Sequence, residues 1–272
     1  MEKGSFTSRD GLTLMTAYHC TEGASNVICI VHGMGEHKAR YEHVADFFAN
    51  NGYSVALFDQ RGHGESSGKR GHTPSLDAML DDLDDFLKYV AEIFPNQKQI
   101  LYGHSMGGNI VLNYTIRRQP QIKALIASSP YIRLAFEPPK IKLLLAKSVG
   151  KLFTNLPQKT GLDVNHLSHD TKVIEEYKAD PLVHDFITPS FFNSIHFTGD
   201  FLIENGNEVN VPTLMFHGTE DLITSSSATT EMAGKSGGKI DLKLWTGLYH
   251  ETHNEPEKMQ VLQFVVDWLK MK

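Results

Sequence analysis

The sequence predicts an α/β fold: a mostly parallel central sheet with helices on both faces and one inserted helical cap. Three observations carry this. From Val27 to Phe58, and again from Gln99 to Ala127, apolar runs without alternation trade places with segments of helical spacing. Unbroken apolar runs are what strands buried on both faces require. Strand, helix, strand, helix, strand is a βαβ series, which implies a parallel sheet with helices on both faces. Finally, the alternation fails from about residue 131 to 200 and resumes at Val211, so a separate segment interrupts the series.

Each element follows from its own signals. Phe6 to Cys20 alternates about Asp10-Gly11 and reads as a hairpin whose second strand runs from Leu12 to Tyr18. Val27-Ile-Cys-Ile-Val31 is a buried strand that stops at His32-Gly-Met-Gly35. Tyr41, Val44, Ala45, Phe48 and Ala49 then share one face of a helix ended by Asn51-Gly52. Tyr53 to Phe58 is the next strand, closing on Asp59-Gln-Arg-Gly-His-Gly64, which reads as a glycine-stabilised turn supporting the site. Thr73-Pro74-Ser75 opens a helix that Pro95 closes, with Asp77, Asp81, Asp82, Asp84 and Asp85 as its solvated face. Ile122 to Ala127 is a further strand. Within the insertion, Ile141, Leu144, Leu145, Ser148 and Leu152 share a helical face, with Lys140, Lys147 and Lys151 on another. That pattern suits a substrate cap whose lysines make transient contact with a membrane or micelle surface. Val211 to Gly218, a helix from about Ser225, the strand Ile240 to Trp245 and a helix from Pro256 to Lys270 complete the series. The expected division is a core of 1–130 and 201–272 with a cap of 131–200.

Bulk properties narrow the function classes. A chain of 272 residues, 40% apolar, is long enough for one large α/β core. Its formal charge of -6 leaves no basic footprint for nucleic acid. Residues 1–10 lack the apolar core of a signal peptide and no later run has the length of a membrane span, so a cytoplasmic, soluble protein is expected. Cys20 and Cys29 both fall in predicted strands, where a buried thiol acts as a small hydrophobe; neither a disulfide nor a metal site is expected.

The chemistry centres on Gly103-His-Ser-Met-Gly107. A buried strand, Gln99 to Tyr102, precedes it, and a buried helix, Asn109 to Ile116, follows. GxSxG between strand and helix is a nucleophile elbow: the glycines leave room for the sharp turn and the Ser105 hydroxyl stands clear at the helix start. A nucleophilic serine needs a base, an acid to orient it and donors for the developing oxyanion. Reactive groups in open α/β sheets collect after the carboxyl ends of strands. Asp221 follows the strand Val211 to Phe216, and His250 follows Ile240 to Trp245, giving the order Ser, Asp, His of an α/β hydrolase. His217 and His253 are rivals for the base. His250 is preferred to His253, which lies nearer the helix start. Gly33 and Gly35 let the backbone approach closely, so the N–H groups of Met34 and Met106 are the expected oxyanion donors. The His-x-x-His pairs at 166/169 and 250/253 lack a carboxylate or cysteine partner at zinc-like spacing, and no metal or other cofactor is implied.

A family resemblance rests on His32-Gly-Met-Gly-Glu-His37 with Arg40-Tyr41, Asp59-Gln-Arg-Gly-His-Gly-Glu-Ser66, Gly-His-Ser-Met-Gly-Gly108, Asp180-Pro-Leu-Val-His184 and Leu248-Tyr-His-Glu-Thr-His-Asn-Glu255. Across nearly its whole length the chain resembles the monoacylglycerol lipase and lysophospholipase branch of the serine α/β hydrolases. The resemblance implies a small lipid ester as substrate, His250 as base and Asp221 as acid. It also implies that Glu36, Arg40 and His253 border a pocket for the polar alcohol. Glu36 and Arg40 read equally well as an i,i+4 ion pair. A thioesterase or peptidase would use the same triad, and a non-hydrolytic receptor would use the same scaffold.

Overall fold

The structure, a computed structural model, describes residues 1–136 and 155–272. The amphipathic segment 140–153 lies outside the described residues. The strands are β1 (Glu2–Thr7), β2 (Thr13–His19), β3 (Asn26–Val31), β4 (Ser54–Phe58), β5 (Lys98–His104), β6 (Ala124–Ser128), β7 (Gln158–Lys159), β8 (Phe186–Ile187), β9 (Thr213–Gly218) and β10 (Ile240–Trp245). Eight of them form one sheet in the order β1-β2-β4-β3-β5-β6-β9-β10, while β7 and β8 pair with each other inside the insertion. The N-terminal hairpin pairs antiparallel with itself and with β4; every pairing from β4 to β10 is parallel.

The unbroken apolar runs are explained by two cores, one on each face of the sheet. In β3, Val27, Cys29 and Val31 face a cluster shared with helices α2 (Leu76–Ile93) and α3 (Met106–Arg118). Its alternate residues Ile28 and Ile30 face a second cluster, built with α1 (Glu42–Asn50) and the helix Lys258–Lys270. Each fully buried aliphatic side chain in such a position stabilises the fold by about 1.5–3 kcal/mol. Residues Met106 to Ile116 of α3 are all buried, so this helix lies at the centre of the molecule rather than on its surface. Ser75 caps α2 by accepting from the Ala78 N–H, as the Thr-Pro-Ser signal predicts.

Two expectations are corrected. Cys20 is exposed, because β2 ends at His19 and the thiol falls in the turn beyond it; Cys29 is buried. Asp82 does not belong to a solvated face. It lies beside the apolar stripe of α2 and takes two hydrogen bonds from Arg61, at 2.5 and 2.7 Å, so an acid in the helix and a base in the glycine turn are buried together.

Candidate active site

Ser105 occupies the junction of β5 and α3 with φ 54° and ψ -116°, a strained conformation for a residue with a side chain. The turn is possible because α3 runs directly over β3: a Cβ on Gly107 would lie 2.1 Å from the Val31 carbonyl oxygen. As first residue of α3, Met106 has an N–H that no intrahelical carbonyl can take, and it stands next to Ser105. Gly33 packs against the same point, a Cβ there falling 3.4 Å from that of Ser105, which brings the backbone preceding Met34 alongside the serine.

The three residues expected as a triad converge. Ser105 Oγ is 2.9 Å from His250 Nε2, and His250 Nδ1 is 2.7 Å from Asp221 Oδ2. Asp221 is held by the loop after β9, where its Oδ1 accepts from the Ile223 and Thr224 N–H groups at 2.7 and 3.0 Å. Burial opposes ionisation of Asp221, but the adjoining His250 and the His217 donor outweigh it and hold the carboxyl well below the usual range. Burial likewise opposes the His250 imidazolium, yet the Asp221 charge and hydrogen bond keep its pKa above the ordinary histidine value. The arrangement can take a proton from a hydroxyl and return it to a leaving group.

Glu36, Arg40 and His253 are brought together beside the triad, and they are buried or nearly so. Glu36 is 2% exposed and His253 0%. Glu36 Oε1 accepts from the Gly33 N–H at 2.6 Å and from the Tyr41 hydroxyl at 2.7 Å, while its other oxygen pairs with Arg40. Arg40 also grips both oxygens of Glu251 at 2.7 Å, and its guanidinium lies 4.7 Å from the Tyr177 ring centre. The i,i+4 reading of Glu36 and Arg40 therefore holds, with a second carboxylate added. Burial works against this charge cluster; Arg40 nonetheless overrides it and holds the Glu251 carboxyl down at about 2. His253 stacks on Tyr41 at 4.9 Å and meets His104 edge-on at 4.6 Å, with neither ring nitrogen partnered among the described residues. Burial pushes its pKa down to about 3. In this cluster the nearly buried Arg40 is paired with both carboxylates, as buried charges require.

Residues between 155 and 200 are tied to these loops. Leu167 O accepts from the Glu251 N–H at 2.7 Å, and His169 meets Glu255 at 3.0 Å. His184 N–H reaches Gly35 O at 2.9 Å, and His37 pairs with Asp180 at 2.8 Å. So the two His-x-x-His pairs serve separate purposes, His169 as a tie to Glu255 and His250 beside Ser105. Sequence reasoning did not pick out Glu251, which no local pattern distinguishes, and it weighed His217 only as a base. His217 is instead a buried neighbour of Asp221, with Nε2 2.8 Å from Oδ2.

A parallel sheet that presents a strained serine on an elbow, with aspartate and histidine after later strands, defines a serine α/β hydrolase. A family profile described as Hydrolase_4, serine aminopeptidase, S33, matches residues 22–257, and the chain belongs to that family, within its monoacylglycerol lipase-like branch. A Mycolicibacterium smegmatis protein named monoacylglycerol lipase is 33% identical over 245 residues, covering 89% of this chain and 87% of that one. An uncharacterised abhydrolase domain-containing protein of Dictyostelium discoideum is 35% identical over 89% of this chain, which spans only 26% of that longer protein. Among solved structures, the Paleococcus ferrophilus monoacylglycerol lipase superposes with a TM-score of 0.87 at 30% identity, covering 94% of this chain and 98% of that one.

Proposed function

We propose that the chain hydrolyses carboxylic esters of lipids, with monoacylglycerol as substrate and glycerol and fatty acid as products. The observation that carries the reading is the alignment of Ser105 Oγ, His250 Nε2, His250 Nδ1 and Asp221 Oδ2 at 2.9 and 2.7 Å in a chain related to named monoacylglycerol lipases. In this mechanism Ser105 attacks the ester carbonyl while His250 takes its proton. The tetrahedral oxyanion is bound by the backbone N–H groups of Met34 and Met106. His250 then protonates the departing alcohol, and Asp221 steadies the imidazolium formed in between. Water, activated by the same histidine, releases the fatty acid.

The Glu36–Arg40–Glu251 cluster fits a supporting role: by accepting from the Gly33 N–H, Glu36 fixes the loop that offers the Met34 donor. Residues 131–200 act as the cap over this site. Exposed Phe136, Leu156, Leu162, Phe186 and Phe197 support its transient contact with a membrane or micelle surface. No helix among the described residues is long and apolar enough to cross a membrane, and we place the protein in the cytoplasm, peripheral at lipid surfaces when it works.

The test is fatty-acid release from medium- and long-chain monoacylglycerols beside matched lysophosphatidylcholine and an acyl-thioester. Neutral glyceride is expected to be turned over fastest, and Ser105→Ala is expected to lower kcat by about a millionfold while the circular dichroism spectrum is unchanged. Turnover retained by Ser105→Ala would overthrow the mechanism. Activity confined to the charged lipid or the thioester would keep the mechanism and replace the substrate.

A further inference from the structure

We infer that His217 is a positioning residue for hydrolysis: through a second imidazole bond to the catalytic carboxylate it fixes Asp221 and moderates the basicity of His250. The inference rests on the assignment of Ser105, His250 and Asp221 made above. Asp221 Oδ2 is the meeting point of three donors, His250 Nδ1 at 2.7 Å, His217 Nε2 at 2.8 Å and the Thr224 hydroxyl at 2.8 Å. A carboxylate only accepts, so His217 must carry a proton on Nε2. Its other nitrogen, Nδ1, lies 2.8 Å from Thr229 Oγ1. In the neutral ring that nitrogen accepts from the threonine hydroxyl, whose alternative acceptor, Ser225 O, is distant at 3.5 Å. Thr229 therefore selects the tautomer of His217 that presents a donor to Asp221.

His217 and Thr229 are both fully buried, and burying two ring nitrogens costs free energy unless each is bonded. Here each is. An apolar residue would fill the space without orienting anything. The consequence for chemistry is shared charge. Each donor on Oδ2 draws off part of the charge that would otherwise favour the His250 imidazolium. The groups facing this array are Thr224 from the loop after β9, Thr229 from the helix Ser226–Lys235, His104 from β5, and Glu251, His253 and Glu36 from the loops flanking the site. Of these, both glutamates act on His250 in the same sense as Asp221 does.

The experiment compares His217→Phe, His217→Gln and Thr229→Val with the parent chain, using kcat, KM and the pH profile of kcat/KM on p-nitrophenyl butyrate. Glutamine can set an N–H near the place of Nε2 and should retain activity within about threefold. Phenylalanine should lower kcat about tenfold with KM within about twofold, and should move the acid limb of the profile upward by about half a pH unit or more. Thr229→Val should move the limb the same way by less, and it decides the matter if His217→Phe does not fold. An acid limb unmoved in the folded His217→Phe variant or in Thr229→Val would overturn the inference, as would a glutamine variant as impaired as the phenylalanine one. Ser105→Ala, measured beside them, keeps the two readings apart: turnover without Ser105 would remove the triad itself, whereas normal Ser105 dependence with an unmoved limb would remove only the role of His217.

Discussion

Asp221 offers each oxygen to a different task, Oδ1 to the loop backbone and Oδ2 to the imidazoles and Thr224, so its replacement has a specific signature. Asp221→Asn keeps the volume but can turn an amide N–H toward His250 Nδ1, favouring the wrong tautomer. A fall in kcat of about 10^4-fold with little change in KM is expected. The pH profile should move as well. In the proposed mechanism His250 must be neutral, so kcat/KM should rise with pH through its pKa, which Asp221 holds above the ordinary 6.5. Without the charge, the acid limb should shift to lower pH; an unmoved limb would mean that another group controls it. At this scale the sequence showed which residue types follow which strands, hence Ser105, Asp221 and His250. It could not show that Glu36 and His253 turn inward. For Glu36 that outcome depends on Arg40 being held by Glu251, 211 residues further along the chain, a pairing that no local pattern announces.

Among elements, a polar contact joins the segment before β9 to the loop bearing His250. One buried carboxylate joins them: Glu255 accepts from the Tyr249 N–H at 2.6 Å, the His169 N–H at 3.0 Å and His169 Nδ1 at 3.0 Å. Glu255→Ala would leave these donors without their acceptor, at a cost of about 2–3 kcal/mol in urea unfolding, and would loosen the loop next to His250 so that kcat falls too. Stability within about half a kcal/mol of the parent and an unchanged kcat would show that the segment is held by other means. The strands and helices of the core were legible because each had a period of its own, continuous for β3, β5 and β9, helical for α1 and α2. The insertion was legible only as a failure of alternation. Its ties to the core are scattered polar contacts from Leu167, His169, Asp180, His184 and Thr188, together with Ile187, Phe191 and Ile195 packed into the core, and they leave no periodic trace. The misread Asp82 belongs here also, since a charge flanking an apolar stripe looks solvated until its partner Arg61 is placed.

Over the whole molecule, the histidines give the protein a characteristic response to acid. His32, His43, His63, His72, His104, His184, His196 and His253 are all held below the ordinary value, chiefly by burial, with His184 at about 4 and His253 at about 3. His250 goes the other way, since Asp221 outweighs its burial. A histidine whose folded pKa is depressed stabilises the native state above its unfolded value and loses that contribution as pH falls, because the unfolded chain takes up the proton first. The group of eight therefore predicts that stability declines from about pH 6.5 downward, before most carboxylates titrate. His253 isolates the effect. Its ring nitrogens have no partners among the described residues, and a phenylalanine there can keep the stack on Tyr41. In urea unfolding measured from pH 7 to pH 4, His253→Phe should flatten the stability curve below pH 6.5 by up to about 1.4 kcal/mol per pH unit, the limit for one proton. At pH 7 the two proteins should differ less than at pH 5. Parallel curves across that range would mean that His253 is protonated alike in both states, and that its burial contributes nothing to the acid sensitivity.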